Sequence, residues 1–131
     1  KGFGADEVTD YQKLSFEDEA LRLTGGRGVD AAFDTVGGNT VSRSIQAVRP
    51  YGKLATVVSL EGSLAGMQAK NLTLYFGFME RTEAKIQTMA TLIERGQLRP
   101  AIDSVFGLDQ VAAAHRRLEA GGIKGKIVIR I

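Results

Sequence analysis

Cysteine is absent from this chain of 131 residues, and histidine occurs once, as His115. Without cysteine there is no disulfide framework, no thiolate nucleophile and no zinc site with cysteine ligands in these residues. With one histidine, a metal site would need carboxylates spaced on one face of an element, and the sequence contains no such set. We therefore expect that this segment binds no zinc.

Long apolar runs and clusters of one charge are also missing. No run reaches the roughly 18 apolar residues of a membrane-spanning helix. The net charge of +2 comes from interspersed Lys and Arg, with no basic run longer than Arg116-Arg117, whereas nucleic-acid binding favours a clustered basic face. Because 44% of the residues are hydrophobic and 24% charged, disordered and fibrous classes are excluded. We expect a cytoplasmic protein that binds neither membrane nor nucleic acid.

Strand-like and helix-like patterns alternate along the chain. Strands are predicted at residues 8–11, 29–36, 53–59, 71–78, 102–106 and 126–131. Helices are predicted at residues 16–23 and 41–48, after Thr82 and after Asp109, and residues 60–66 are predicted to form a loop. This alternation calls for right-handed βαβ crossovers and a mainly parallel sheet with flanking helices, an α/β fold.

Two glycine motifs are similar to phosphate-binding loops but have the wrong context. Residues 26–31 (GRGVDA) satisfy G-x-G-x-x-A, yet a predicted helix precedes them and a strand follows. Pyrophosphate binding needs the opposite order, so that a helix N-terminus faces the phosphates. Gly125-Lys126 likewise leads into a strand instead of a helix. Both motifs therefore predict plain helix-to-strand turns.

Several stretches together resemble the medium-chain dehydrogenase/reductase superfamily, in its quinone-oxidoreductase-like and zinc-binding alcohol-dehydrogenase-like branch. These stretches are residues 4–11 (GADEVTDY), 24–38 (TGGRGVDAAFDTVGG) and 49–54 (RPYGKL). The tail, residues 114–119 (AHRRLE) followed by 125–128 (GKIV), is similar to the closing pattern of that family. The match comes from the order and spacing of these pieces, which extend across essentially the whole chain.

The resemblance implies a partial Rossmann-type parallel sheet that lacks its first two strands, plus a short return into a catalytic domain. Residues 1–98 would be the C-terminal part of the cofactor-binding domain, and residues 99–131 the return segment. The phosphate-binding glycine motif, any zinc ligands and the main proton-relay residues would lie upstream. We therefore expect no catalytic residue in this segment, which would be inactive alone.

The resemblance also implies which residues contact a nicotinamide cofactor, NADP with NAD possible. The expected cofactor-binding residues are Tyr11, Val36, Gly37, Ser59, Leu60, Phe78 and Lys126. Tyr11, at a strand end, would lie beside the ribose 2′-phosphate, whereas Val36, Gly37, Ser59 and Leu60 would lie near the nicotinamide. Since glycine lets a backbone approach a ligand closely, Gly37→Ala is expected to weaken cofactor binding with little loss of stability.

Each of these residues has a structural alternative. Tyr11 would otherwise be a half-exposed strand-end tyrosine, residues 36–37 a bare turn, and Lys126 an exposed strand lysine. Phe76 and Phe78 would be core or subunit contacts. Asp34 has no partner acid or histidine nearby in sequence, which favours a strand-end hydrogen-bonding role over catalysis. For His115 a packed, hydrogen-bonded role is predicted.

The leading functional hypothesis is an NADP(H)-dependent enzyme that transfers hydride to quinones or enone-like carbonyl substrates. Two alternatives stay open: part of a zinc-dependent alcohol dehydrogenase of the same superfamily, and a non-catalytic α/β interaction module. The implied partners are a small-molecule substrate and a second copy of the enzyme in a homodimer.

Overall fold

The computed structural model describes residues 3–131. Contacts divide the chain into two compact units, the first ending at Met79 and the second beginning at Glu80. The first unit contains a three-stranded sheet and the second a two-stranded sheet, and all neighbouring strands are parallel. The predicted α/β class with parallel sheets and flanking helices is confirmed. A domain boundary at residue 98 refers to a longer enzyme and stays a prediction.

The first unit alternates helices and strands. Its elements are α1 (Phe16–Leu23), β1 (Val29–Asp34), α2 (Thr40–Ala47), β2 (Val48–Thr56), α3 (Gly66–Lys70) and β3 (Thr73–Phe76). The sheet order β1-β2-β3 follows the chain. Ile45 of α2 packs on Val48 and Leu54 of β2, and these three side chains form the buried core. Burial of this apolar face attaches α2 to the sheet.

The glycine-rich turn between α1 and β1 is the predicted helix-to-strand turn. Gly26 adopts a φ of +81° and donates its backbone N–H to the Leu21 carbonyl at 2.7 Å, which closes the end of α1. Gly28, at a φ of +86°, passes close to the backbone of Ala47 and Arg49. The motif therefore forms the turn from α1 into β1, without the following helix that a pyrophosphate-binding loop needs.

The first turns of α1 and α2 are joined by a partly buried ion pair. Arg43 makes a bidentate contact with Glu17, with Nε–Oε1 and Nη2–Oε2 distances of 2.8 and 2.7 Å. The guanidinium also lies 4.6 Å from the centre of the Phe16 ring. Only 12% of the Glu17 side chain is exposed, and the hydrogen bonds from Arg43 lower its pKa from 4.5 to about 2.

We expect Glu17→Gln to destabilise the protein at pH 7 by about 2 kcal/mol, because the depressed pKa means that the folded state favours the ionised carboxylate. This stabilisation is complete above pH 4.5 and is lost as the pH falls towards about 2. Urea unfolding of wild type and variant between pH 7 and 2.5 should therefore show that the difference between their free energies of unfolding becomes smaller at the acid end. Glu80→Gln, which removes an exposed ion pair of 3.6 Å with Lys85, is the control and should change little. If the difference in free energy of unfolding between wild type and Glu17→Gln were the same at every pH, the stabilising role of the ionised carboxylate would be contradicted.

A lysine ammonium closes the end of α2. Nζ of Lys70, the last residue of α3, donates to the carbonyl oxygens of Ile45, Gln46 and Val48, each at 2.9 Å. A cation at a helix C-terminus satisfies carbonyls that have no partner within the helix and complements the helix dipole. Lys70 therefore fixes α3 against the α2–β2 corner.

The second unit has the same alternation. Its elements are α4 (Glu83–Glu94), β4 (Ile102–Gly107), a short 3-10 turn (Leu108–Gln110), α5 (Val111–Glu119) and β5 (Lys126–Arg130). Asp103 accepts hydrogen bonds from Arg117 Nη2 at 3.0 Å and from the Lys124 backbone N–H at 3.3 Å. This carboxylate thereby orders the connection between α5 and β5.

Three predictions of local structure were wrong. Residues 8–11 form no strand, because the described chain offers no neighbouring strand to pair with them. The third strand begins at Val48 instead of 53, and residues 49–52 bulge out between the pairs Val29–Val48 and Ala31–Lys53. The stretch after residue 60 includes the unpredicted helix α3, which Asn71 ends in a left-handed conformation at a φ of +51°.

Candidate functional site: the carboxyl edge of the first sheet

The three strands of the first sheet end together. Asp34 of β1 pairs with Thr56 of β2, and Thr56 pairs with Phe76 of β3. We call this end of the sheet the carboxyl edge, the residues 35–39 after β1 the β1 loop, and the residues 57–65 after β2 the β2 loop. In open α/β sheets this edge is where ligands bind.

Asp34 organises the β1 loop through its carboxylate. Its Oδ1 accepts backbone N–H groups of Val36 at 3.0 Å and Gly37 at 3.2 Å, and lies 2.8 Å from the Thr40 hydroxyl. Its Oδ2 lies 3.2 Å from the Thr56 hydroxyl. Burial alone would raise the pKa of Asp34, but these donors outweigh it and the pKa is lowered. The carboxylate is therefore ionised and occupied by structural partners, as the predicted strand-end role requires.

The β1 and β2 loops are hydrogen-bonded to each other. Gly38 donates its N–H to the Ser59 carbonyl at 3.1 Å and accepts the Glu61 N–H at 2.6 Å. Gly37 has a φ of +87°, and a Cβ there would lie 2.9 Å from the Ser59 carbonyl oxygen. The two loops therefore form one platform, and the missing side chain of Gly37 is what allows them to approach so closely.

The structure brings four of the predicted cofactor residues together on this platform. Val36 and Gly37 belong to the β1 loop, and Ser59 and Leu60 to the β2 loop, which meet in a parallel bridge between Gly38 and Leu60. The Val36 side chain is 79% exposed, the Ser59 side chain is also exposed, and Leu60 is half-buried. An apolar side chain and a hydroxyl are thus presented to the outside at the carboxyl edge.

Two phenylalanines follow the same edge from β3. Phe76 pairs with Thr56, and Gly77 donates its N–H to the Thr56 carbonyl at 2.8 Å. Both Phe76 and Phe78 are exposed, Phe78 to 91%. The core alternative for these rings is wrong for the described chain, and an apolar surface remains beside the platform.

Tyr11 lies in a turn ahead of α1 and not at a strand end. The Lys13 and Leu14 N–H groups donate to the Asp10 carbonyl at 3.0 Å, which bends the chain there, and Tyr11 is 77% exposed. The Arg43–Glu17 pair joins the first turn of α1 to α2, which itself follows the β1 loop. Tyr11 therefore lies just ahead of α1. The first turn of α1 contacts α2, the helix that follows the β1 loop.

The two remaining candidates belong to the second unit. Lys126 is exposed at the start of β5. His115 is exposed on the apolar face of α5, beside Ala114 and Leu118, and the described residues offer its side chain no hydrogen-bond partner. The predicted packed and hydrogen-bonded role for His115 was wrong, because this face of α5 is not covered within the unit.

Sequence reasoning did not select Thr40 and Thr56 as parts of the site. Thr56 is the only hydroxyl residue in the interior of the apolar stretch 54–58 (LATVV) and is 1% exposed, so its hydroxyl needs a buried partner. That requirement is a signal in the sequence, but it does not indicate which strand supplies the acceptor.

Neither a metal site nor a membrane span is found in residues 3–131. No group of three or more His, Cys, Asp or Glu side chains there could hold a metal ion. No helix in the same range is long and apolar enough to cross a membrane. The described residues therefore form no site that fits a zinc ion.

The pattern of the zinc-binding dehydrogenase family matches residues 3–129. The chain belongs to this family. It is 32% identical to the quinone oxidoreductase of Pseudomonas aeruginosa, covering 96% of this chain and 43% of that protein. It is 31% identical to an NAD-dependent alcohol dehydrogenase of Sulfolobus acidocaldarius, covering 98% of this chain and 38% of that protein.

The fold of this zinc-binding dehydrogenase chain is that of solved relatives. The crystal structure of an NAD-dependent alcohol dehydrogenase matches with a TM-score of 0.80 and 29% identity, covering 99% of this chain and 39% of that one. The chain thus spans about two fifths of the length of these relatives. The resemblance seen in the sequence is confirmed.

Proposed function

We propose that this chain is part of an NADP(H)-dependent oxidoreductase that reduces quinones or enone-like carbonyl compounds. The observation that carries the proposal is the platform at the carboxyl edge, where a glycine with positive φ joins two loops beside exposed apolar side chains. The relation to a quinone oxidoreductase supports the choice of substrate. The bound nicotinamide would supply the hydride.

In this proposal the platform holds the nicotinamide end of the cofactor. The backbone of Gly37 would approach the ribose, and the exposed Ser59 hydroxyl would offer it a hydrogen-bond donor or acceptor. Val36, Leu60 and Phe78 would contact the ring through apolar surface and exclude water from it. No residue of this chain is given a catalytic role, and the chain alone is proposed to be inactive.

Tyr11 and Lys126 are proposed as contacts of the cofactor phosphates. The exposed Tyr11 hydroxyl could donate to a ribose 2′-phosphate, which would favour NADPH over NADH. The exposed Lys126 ammonium could add a point charge. The Tyr11 assignment rests on the resemblance and on the exposure of its side chain, and the Lys126 assignment on its charge and exposure.

We expect Tyr11→Ala in the full-length enzyme to weaken NADPH binding about tenfold while NADH binding changes little, because only NADPH carries the 2′-phosphate. Fluorescence titration with each nucleotide measures this ratio. Tyr51→Ala is the matched control, since Tyr51 is also exposed but lies in the bulge of β2, away from the carboxyl edge. Equal losses for the two nucleotides would refute the 2′-phosphate role of Tyr11.

A zinc-dependent alcohol dehydrogenase is the second candidate, favoured by the relation to alcohol dehydrogenases in sequence and structure. Zinc analysis of the purified full-length protein, together with assays of alcohol oxidation and quinone reduction, separates the two enzymes. A protein that shows no saturable binding of NADPH or NADH would instead be a non-catalytic interaction module. The homodimer is also a proposal, which light scattering of the full-length protein tests.

A further inference from the structure

The Asp34 carboxylate links the two loops of the platform to the sheet through hydrogen bonds. It is 8% exposed and lies at the end of β1, below the backbone of the β1 loop. Its backbone donors are consecutive amides, Val36 and Gly37, so their hydrogen bonds fix the direction in which this stretch leaves the strand. A charged acceptor makes such bonds stronger than a neutral one would.

The same carboxylate reaches the β2 loop through Thr56. The Thr56 hydroxyl lies 3.2 Å from Asp34 Oδ2 and 3.1 Å from the Val58 carbonyl oxygen, and it accepts the Val58 N–H at 3.3 Å. Since a hydroxyl has a single hydrogen, the negative charge of Asp34 favours its donation to the carboxylate. The backbone of Val58, directly before Ser59, is thereby linked to the group that holds Gly37.

Thr40 makes the corresponding link on the other side. Its hydroxyl lies 2.8 Å from both Asp34 Oδ1 and the Gly37 carbonyl oxygen. The two carboxylate oxygens are therefore within hydrogen-bonding distance of donors from the β1 loop, α2 and β2, and the residue is 8% exposed. This arrangement suits a group that sets geometry and does not suit a general base.

We propose that Asp34 is a positioning residue for the nicotinamide cofactor, acting by holding the β1 and β2 loops in one arrangement. The inference rests on the proposed function, since it requires that the platform bind a nucleotide. In this proposal Gly37 and Ser59 contact the cofactor. Asp34 fixes the positions of these two residues and does not touch the cofactor itself.

The decisive variant is Asp34→Asn in the full-length enzyme. Asparagine keeps the shape, but its NH2 group would face donors in place of an acceptor, so the two loops should lose their fixed spacing. We expect the dissociation constant for NADPH to rise about tenfold. At saturating NADPH kcat should change much less than KM for the cofactor, because no reacting group is removed.

Asp30→Asn is the matched control. Asp30 lies in the same strand, but it is exposed and paired with Arg27 and Arg49 at the other end of β1. It should leave NADPH binding unchanged. A purely structural Asp34 would lower the melting temperature but leave the dissociation constant of the folded protein at the wild-type value, which would overturn the inference.

Thr56→Val provides a milder test if Asp34→Asn folds poorly. It keeps the side-chain volume and removes one donor, so the dissociation constant for NADPH should rise about threefold in the wild-type background. In an Asp34→Asn background it should add nothing, because both changes act through the same link. Independent effects of the two substitutions, which multiply in the dissociation constant, would contradict the inference.

Failure of the proposed function can be distinguished from failure of the role of Asp34 alone. If the wild-type enzyme itself bound neither NADPH nor NADH, the proposed function would fail and the inference with it.

Discussion

Replacing Gly28 by alanine is expected to destabilise the protein by about 3 kcal/mol. The residue has a φ of +86°, which costs an L-residue about 1–2 kcal/mol. Its Cβ would also lie 2.7 Å from the Ala47 carbonyl oxygen and 2.8 Å from the Arg49 nitrogen. These are backbone atoms of the α2–β2 corner, so the clash can be relieved only by moving the core, which typically adds about 1–3 kcal/mol.

Gly26→Ala is the matched control in the same turn. Gly26 has nearly the same φ, +81°, but a Cβ there would meet no atom within 4 Å. It should therefore cost only the backbone strain, about 1 kcal/mol. Urea unfolding of both variants measures the difference. Equal losses of stability would show that the close approach to Ala47 and Arg49 does not matter.

Replacing Gly37 by alanine is expected to lower both stability and cofactor affinity. From the sequence alone, an effect on binding with little loss of stability is expected. The structure changes this expectation, because a Cβ at Gly37 would lie 2.9 Å from the Ser59 carbonyl oxygen even without a ligand, at a φ of +87°. We therefore expect a loss of about 2–3 kcal/mol in stability. Separation of the two loops should also raise the NADPH dissociation constant about tenfold.

Gly38→Ala separates the two causes. Gly38 has a φ of +61° and open space where a Cβ would lie, so it should show the strain but not the clash. Melting temperatures and NADPH titration of the folded full-length variants give both quantities. A Gly37→Ala enzyme with wild-type affinity would show that the turn serves only the fold, and would remove the main support for the platform as a cofactor site.

The sequence predicts the elements that have clear start and stop signals. Ser15, directly before the predicted helix at 16–23, accepts the Asp18 N–H and caps α1, and Thr82 accepts the Lys85 N–H and caps α4. The glycine turn after α1 was also predicted correctly, because the order of helix and strand around it excluded a phosphate loop. These features depend on neighbours in sequence, which is why local patterns suffice for them.

Features that depend on distant contacts were missed. Residues 8–11 have the composition of a strand, but a strand exists only where another chain segment pairs with it. The bulge at residues 49–52 follows from pairing with β1 on both sides of it, which local patterns in the sequence do not reveal. The hydroxyl partners of Asp34 come from α2 and from β2, and the link to Thr56 exists only once the two strands are paired.

Every neighbouring pair of strands in both units is parallel, and this has a consequence for how the chain reaches its fold. A parallel pair cannot be closed by a tight turn, so each pairing must await a crossover connection. No hairpin is available among these ladders to nucleate a sheet quickly, and non-local pairing of this kind slows folding relative to a helical bundle. In the first unit the strand order follows the chain, so each strand can add to an edge already formed while the ribosome is still synthesising the next.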